Sequence, residues 1–123
     1  MAEGMIRDFT DLIVWQKAIQ LGKEVYRLTA RFPIEERYGL TAQVRRAAVS
    51  VSSNIAEGHA RQKNEFAHFL SIARGSLAET ESQLLFAAEL DYLDRAAVAP
   101  VRDLAGEIHR MSAAIARKLK SSK

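Results

Sequence analysis

Apolar residues recur at alternating steps of three and four along most of this chain, which is the spacing of α-helices buried along one face. The third such stretch is the most regular, and its positions hold one heptad without interruption: Phe66, Leu70, Ala73, Leu77, Thr80, Leu84 and Ala87. No segment shows the period of two that a half-buried β-strand requires. The spacing therefore predicts an all-α fold with this heptad facing the core.

Three further segments share the helical spacing, at residues 14–32, 40–58 and 101–119. Pro33 interrupts the first of them, and because the residue before a proline is displaced from the α region, that helix is expected to end near Arg31. Four helices of roughly 20–28 residues joined by short loops predict an antiparallel up-and-down four-helix bundle, with neighbours crossing at about 20°.

Length and composition define the class of protein. The chain has 123 residues, 48% of them apolar, which suits one domain: an N-terminal extension at 1–9, the bundle at 10–120 and a C-terminal tail at 121–123. The absence of cysteine excludes disulfides, thiolate metal sites and cysteine nucleophiles. With no apolar signal segment and no apolar run near the ~20 residues that span a bilayer, we expect a cytoplasmic protein with no membrane partner.

Two helix faces point to self-association. On the third helix, three large apolar side chains project roughly opposite the seam: Ile72, Phe86 and Leu90. Either the seam is wide, or these residues contact another subunit, as we expect here. The outward face of the second helix carries short side chains framed by charges that a neighbour could approach closely: Arg46, Ser50, Ser53 and Glu57. We therefore predict a homo-oligomer with these residues at the subunit interface.

Asn54 shares a heptad with Leu40 and Ala47, so we expect its amide to lie near the core or a helix junction and to fix the helix register. Trp15 and Tyr26 stand at helical positions and are interpreted as core or interface residues rather than base-stacking platforms.

A metal site is weakly supported. A di-iron bundle requires two inward Glu-x-x-His pairs, and Glu65 with His68 supplies one. Glu107 and His109 are only two positions apart and do not share a helix face. We therefore expect no metal and no cofactor.

Ribonuclease chemistry is the third functional hypothesis. All-helical nucleases of the HEPN type carry an Arg and a His with four to six residues between them, and six residues separate Arg61 from His68 and Arg102 from His109. An imidazole can transfer a proton near neutral pH. Amphipathic helices meet so loose a spacing often by chance, so we expect a protein that is not an enzyme.

Positive and negative charges are unevenly distributed along the chain. Five acids and no base lie between residues 75 and 94, whereas five bases and no acid lie between 108 and 123. In an up-and-down bundle the second loop adjoins the end of the fourth helix, which gathers one cluster, hereafter the basic end: Arg61, Lys63, Arg117, Lys118, Lys120 and Lys123. This cluster either binds nucleic-acid phosphates or only complements the helix dipole.

The segment Gln43-Val-Arg-Arg-Ala-Ala-Val-Ser50, continued by Ser53-Asn-Ile-Ala-Glu-Gly58, resembles a motif of the four-helix-bundle proteins encoded in intervening sequences of bacterial 23S ribosomal RNA genes. Weaker matches, such as Phe69-Leu-Ser-Ile-Ala73, extend the resemblance over about residues 9–119. Ser52 stands where the family commonly has proline, so the second helix is expected to be straighter.

The resemblance implies an antiparallel bundle that assembles into a ring, often a pentamer. It also implies kinship with the accessory proteins of diversity-generating retroelements, which are basic barrels that partner a reverse transcriptase and nucleic acid. It brings no catalytic residues. We therefore predict a non-enzymatic oligomeric module that binds RNA or DNA through the basic end, with or without a protein partner. The alternative is a protein–protein scaffold with no nucleic-acid role.

Overall fold

The computed structural model describes residues 5–121, and four α-helices account for most of them. The helices are α1 (Ile13–Thr29), α2 (Leu40–His59), α3 (Lys63–Glu89) and α4 (Ala99–Ser121), with three short 3₁₀ turns at Phe9–Asp11, Ile34–Glu36 and Arg95–Val98. Between residues 5 and 121 there is no β-strand. The prediction of an all-α fold with four helices is confirmed.

Each helix packs against two others, which gives the bundle its square cross-section. Helices α1 and α3 both contact α2 and α4, so helices consecutive in the chain are also neighbours in space. Short loops make these neighbours antiparallel. The start of α1, the end of α2, the start of α3 and the end of α4 consequently share one end of the bundle, and the two longer connections occupy the other.

The heptad of α3 is buried throughout, from Phe66 at one end to Ala87 at the other. Leu77 is 2% exposed, at the centre of a cluster to which all four helices contribute. Ser76 is also buried although it lies outside the predicted seam, and its backbone carbonyl accepts a 2.8 Å hydrogen bond from the Thr80 hydroxyl. The core-facing side of α3 is therefore wider than a single heptad line.

The first helix ends at Thr29, two residues before the predicted end. The chain then tightens into turns, in which the Phe32 N–H donates to the Thr29 carbonyl at 3.0 Å. Pro33 follows and prevents the helix from continuing. On the other side of this connection, the Glu36 carboxylate accepts the N–H of Leu40, the first residue of α2, at 2.9 Å.

Helices α2 and α3 are in close contact near the loop that joins them. A Cβ atom placed on the buried Gly58 would lie 2.6 Å from Cβ of Phe69 and 3.0 Å from Cδ1 of Phe66. Real side chains do not come so close, so only glycine fits this contact as the backbone stands. No helix among residues 5–121 combines the length and apolar content needed to cross a membrane.

Candidate functional site

The basic end is assembled from the start of α3 and the last turns of α4. Arg117, Lys118 and Lys120 are exposed, and none of these three side chains forms an ion pair with another described residue. Lys63 is the first residue of α3 and is exposed at the same end of the bundle. Lys123 lies outside the described residues. Uncompensated positive charge is thus concentrated on the last turns of α4.

Arg61 differs from the other members of the basic end because two carboxylates of its own chain hold it. Its Nη2 lies 2.8 Å from Oε2 of Glu57, and its Nη1 lies 3.4 Å from Oε2 of Glu65. The hydrogen bond to Glu57 is the main cause of a raised Arg61 pKa. The charge of Arg61 is therefore compensated locally, unlike the charges of Arg117, Lys118 and Lys120. Glu57, predicted at the subunit interface, makes its ion pair within the chain.

The three apolar residues on the outer face of α3 lie where the spacing placed them. Ile72 is 39% exposed, Phe86 57% and Leu90 42%. On α2, Arg46 and Ser53 are likewise exposed. Burial of these residues between subunits stays a prediction, and the described chain presents them to solvent.

Ser50 is less exposed than its predicted place on the outward face of α2 implies, and its contact with another subunit stays a prediction. It is half-buried between α2 and α3, where its hydroxyl accepts a 2.9 Å hydrogen bond from the Ser76 hydroxyl. Asn54, one turn later, donates from Nδ2 to the Ser50 carbonyl at 2.8 Å and to the Ser50 hydroxyl at 2.9 Å. Small hydroxyls at both positions let the helices pack closely while their polar atoms stay paired. The expectation that Asn54 lies at a helix junction agrees with this position.

The residues considered for metal chemistry do not assemble into a site. Within residues 5–121 no group of three His, Asp or Glu side chains could hold a metal ion. Glu65 is engaged by Arg61.

The two Arg and His pairs considered for ribonuclease chemistry differ in their surroundings. His68 is exposed, with its ring edge-on to Phe69 at a centroid distance of 5.8 Å. Arg102 and His109 both line a groove of about 710 Å³ between α3 and α4, where Nε of Arg102 donates to Oε1 of Glu81 at 3.1 Å. The Arg102 guanidinium is thus engaged by a carboxylate, and ribonuclease chemistry stays a hypothesis.

A second basic surface lies on the outside of α1 and α2, where a groove of about 560 Å³ opens. We call it the arginine groove; its lining includes Tyr26, Arg37, Arg45 and Arg46 and no carboxylate. Adjacent arginines at 45 and 46 were a visible signal in the sequence. The contact between Arg45 and Tyr26 could not be recognised in the sequence, because Tyr26 is 19 residues before Arg45 and meets it only when α1 and α2 pack together.

Comparison with known proteins agrees with this architecture. A family model described as 23S rRNA-intervening sequence protein matches residues 10–114. A solved structure of a protein of unknown function from the S23 ribosomal protein family of Bacteroides thetaiotaomicron VPI-5482 superposes with a TM-score of 0.75, covering 85% of this chain and 98% of that one. Its sequence is 22% identical, so the likeness concerns the fold. No curated protein shows a significant sequence match.

Proposed function

This chain belongs to the family of 23S rRNA-intervening sequence proteins, and from that premise we propose that it is a non-enzymatic, self-associating bundle that binds RNA or DNA through its basic end. The observation that carries the proposal is the group of exposed, unpaired cations on the last turns of α4: Arg117, Lys118 and Lys120. The structural neighbour is named for the S23 ribosomal protein family, which is consistent with an RNA ligand and a cytoplasmic location.

Cations on such a surface bind nucleic acid by contacting its phosphates. Each cation that neutralises a phosphate releases condensed counterions, so affinity falls as salt rises. Arg61 lies in the loop before α3, and the other described cations of the basic end stand at the start of α3 and the end of α4. The half-buried ring of Phe69 lies beside Arg61, whose guanidinium carbon is 5.5 Å from the ring centre. Because Arg61 covers this ring, the cations can position a phosphate backbone but offer no open platform for a base. Binding at this end is therefore proposed to be insensitive to sequence.

Self-association would multiply these contacts. One subunit contributes only a few cations, and a closed ring would present the same cluster once per subunit. Simultaneous contacts raise the overall affinity without new chemistry. The exposed Phe86 and its apolar neighbours on α3 support an assembly of this kind, and the pentamer implied by the resemblance is the ring we propose.

A protein–protein scaffold is the second candidate. The outer face of α3 supports it, because Ile72, Phe86 and Leu90 offer apolar area to any partner. The helix dipole also accounts for part of the basic end, since cations are stabilised near a helix C-terminus. Nucleic-acid binding distinguishes the two candidates directly.

The experiment is a salt titration of binding to a labelled DNA duplex and to an RNA stem-loop, followed by fluorescence anisotropy. Replacing Lys118, Lys120 and Lys123 with Gln is expected to weaken binding and to lower the slope of log K against log salt by up to about 0.9 per lost phosphate contact on duplex DNA. A charge-matched control replaces three cations elsewhere with Gln: Arg31, Arg95 and Arg102.

If the lysine variant and the unmodified protein show equal affinity and equal slope, nucleic acid binds at another surface of the protein. No binding by the unmodified protein at low salt would favour the scaffold.

A further inference from the structure

The arginine groove concentrates positive charge without any compensating carboxylate in its walls. Three of its lining residues are arginines, and none of the others is charged. None of the three arginines forms an ion pair with a described residue. We infer that the groove binds the phosphate backbone of a single-stranded nucleic acid, with an unpaired base stacked on the adjacent Tyr38.

Arg45 is held in position before any ligand arrives. Its Nε donates a 2.8 Å hydrogen bond to the Thr29 hydroxyl, and its guanidinium carbon lies 4.4 Å from the centre of the Tyr26 ring. The Thr29 hydroxyl in turn donates to the Val25 carbonyl at 2.8 Å, which fixes the acceptor. A guanidinium ordered in this way loses less conformational entropy when it binds an anion.

The fold accounts for one of the three arginines. Nη2 of Arg45 also donates to the Tyr26 carbonyl in the last turn of α1 at 3.4 Å, and the dipole of that helix favours a cation there. Arg37 and Arg46 are exposed and form no ion pair with a described residue. These two arginines are better explained by a ligand that supplies the negative charge.

The aromatic residues favour an unpaired strand over a duplex. Tyr38 is 86% exposed, and the guanidinium carbon of the neighbouring Arg37 lies 5.0 Å from its ring centre. An exposed aromatic ring beside arginines is a platform for a base, which a paired base in a duplex cannot reach. The groove volume of about 560 Å³ falls within the range of about 300–1,000 Å³ typical of small-ligand sites, enough for a nucleotide.

This inference rests on the proposed function for the class of ligand, and it adds the strand type and a second surface. The groove extends along α2 as far as Ser50, and Lys63 lies beyond the end of that helix at His59, so the nearer edge of the groove is roughly 15 Å from the basic end. The two surfaces can therefore be tested separately.

The test measures the affinity of a labelled 12-nucleotide oligouridylate and of a labelled blunt duplex. The first variant, Arg37→Gln with Arg46→Gln, removes two exposed charges. We expect its oligouridylate affinity to fall at least tenfold and its salt slope to fall by about 1.4, which is about 0.7 for each of two phosphates. The charge-matched control is Arg95→Gln with Arg102→Gln, which is expected to retain the unmodified affinity.

The second variant, Tyr38→Ala, tests stacking without changing charge. Loss of one stacked base is expected to weaken oligouridylate binding at least about fivefold and to leave duplex binding unchanged, whereas Tyr38→Phe keeps the unmodified affinity. Circular dichroism verifies that each variant remains helical.

Four outcomes overturn the inference. The first is an unchanged oligouridylate affinity in the arginine variant, and the second is an unchanged oligouridylate affinity in Tyr38→Ala. If the basic-end variant still loses binding in either case, the proposed function is retained and only the inference about the groove is rejected. A change in oligomer mass without a change in affinity identifies the groove as a subunit contact. If neither oligonucleotide binds the unmodified protein, the inference and the proposed function fail together.

Discussion

The Tyr92 hydroxyl donates a 2.7 Å hydrogen bond to Oε2 of Glu36, which ties together the two loops at the end of the bundle opposite the basic end. The other oxygen of the same carboxylate accepts the N–H of Leu40. The ring of Tyr92 also lies 5.6 Å from that of Phe32, centre to centre. One carboxylate therefore caps α2 and connects segments that are 56 residues apart in the chain.

These contacts predict a dependence of stability on pH. The Leu40 N–H and, secondarily, the Tyr92 hydroxyl hold the pKa of Glu36 below its ordinary value. The unfolded chain therefore takes up a proton first as the pH falls. The contribution of Glu36 is complete above the ordinary carboxyl range and is lost as the pH drops through the lowered pKa.

Thermal unfolding followed across this acid range measures the effect. Tyr92→Phe should melt at a lower temperature at neutral pH, and the difference from the unmodified protein should shrink once Glu36 is protonated. A constant difference at every pH would assign the effect to packing against Phe32 instead.

Leu77→Ala is expected to destabilise the protein by roughly 2–5 kcal/mol, because a buried seam side chain is replaced by a cavity. Urea denaturation monitored by circular dichroism measures the free energy of unfolding. Glu79→Ala, at an exposed position on the same helix, is the control and should change it by less than about 0.5 kcal/mol. A loss below about 1 kcal/mol for Leu77→Ala would contradict the packing described here.

Gly58→Ala should destabilise the protein by about 1–3 kcal/mol, because the new methyl group would collide with Phe69 and Phe66 and separate α2 from α3. Gly75→Ala is the matched control, since a Cβ atom at that helical position has open space around it. It should stabilise the protein by about 0.4–1 kcal/mol. Denaturation curves that show the same sign for both variants would rule out the close contact as the cause.

Phe86→Glu tests the outer face of α3. A charge in an apolar subunit contact is unfavourable, so the variant should form smaller species that keep their helical circular dichroism. Multi-angle light scattering gives the mass. Gln20→Glu introduces the same charge at an exposed position of α1 and should leave the mass unchanged. A monomeric unmodified protein would refute self-association.

Helical periodicity predicted the positions of α3 well because one heptad lies along its buried face from Phe66 to Ala87. It was less informative about residues on the flanks of a helix. Ser50 and Ser76 lie beside the core line rather than opposite it, and their orientation depends on which neighbour each helix packs against. A helical wheel drawn at 100° per residue does not show which neighbouring helix each side chain contacts.

Some contacts of the candidate site could likewise be predicted from the sequence, and others could not. The partners of Arg61 were near it in the sequence, since Glu57 and Glu65 stand four residues before and after it. Arg61 lies in the short loop between α2 and α3, so that loop, rather than the geometry of one helix, brings the three charges together. The arginine groove was not predictable, because Arg45 and Tyr26 meet across two helices. Partners close in the sequence can be proposed from it, and tertiary pairing determines the others.

The up-and-down course of the chain has a practical consequence for every binding measurement proposed above. Both ends of the described chain stand at the same end of the bundle as the exposed cations of α4, so a terminal tag or dye would itself perturb the charge being measured. The opposite end offers a cleaner attachment point. The chain has no cysteine, so Asp94→Cys would carry a single fluorophore, and the Asp94 side chain makes no capping hydrogen bond that the change would remove. The neighbouring Asp91 is less suitable, because its φ of 63° is one that cysteine adopts poorly.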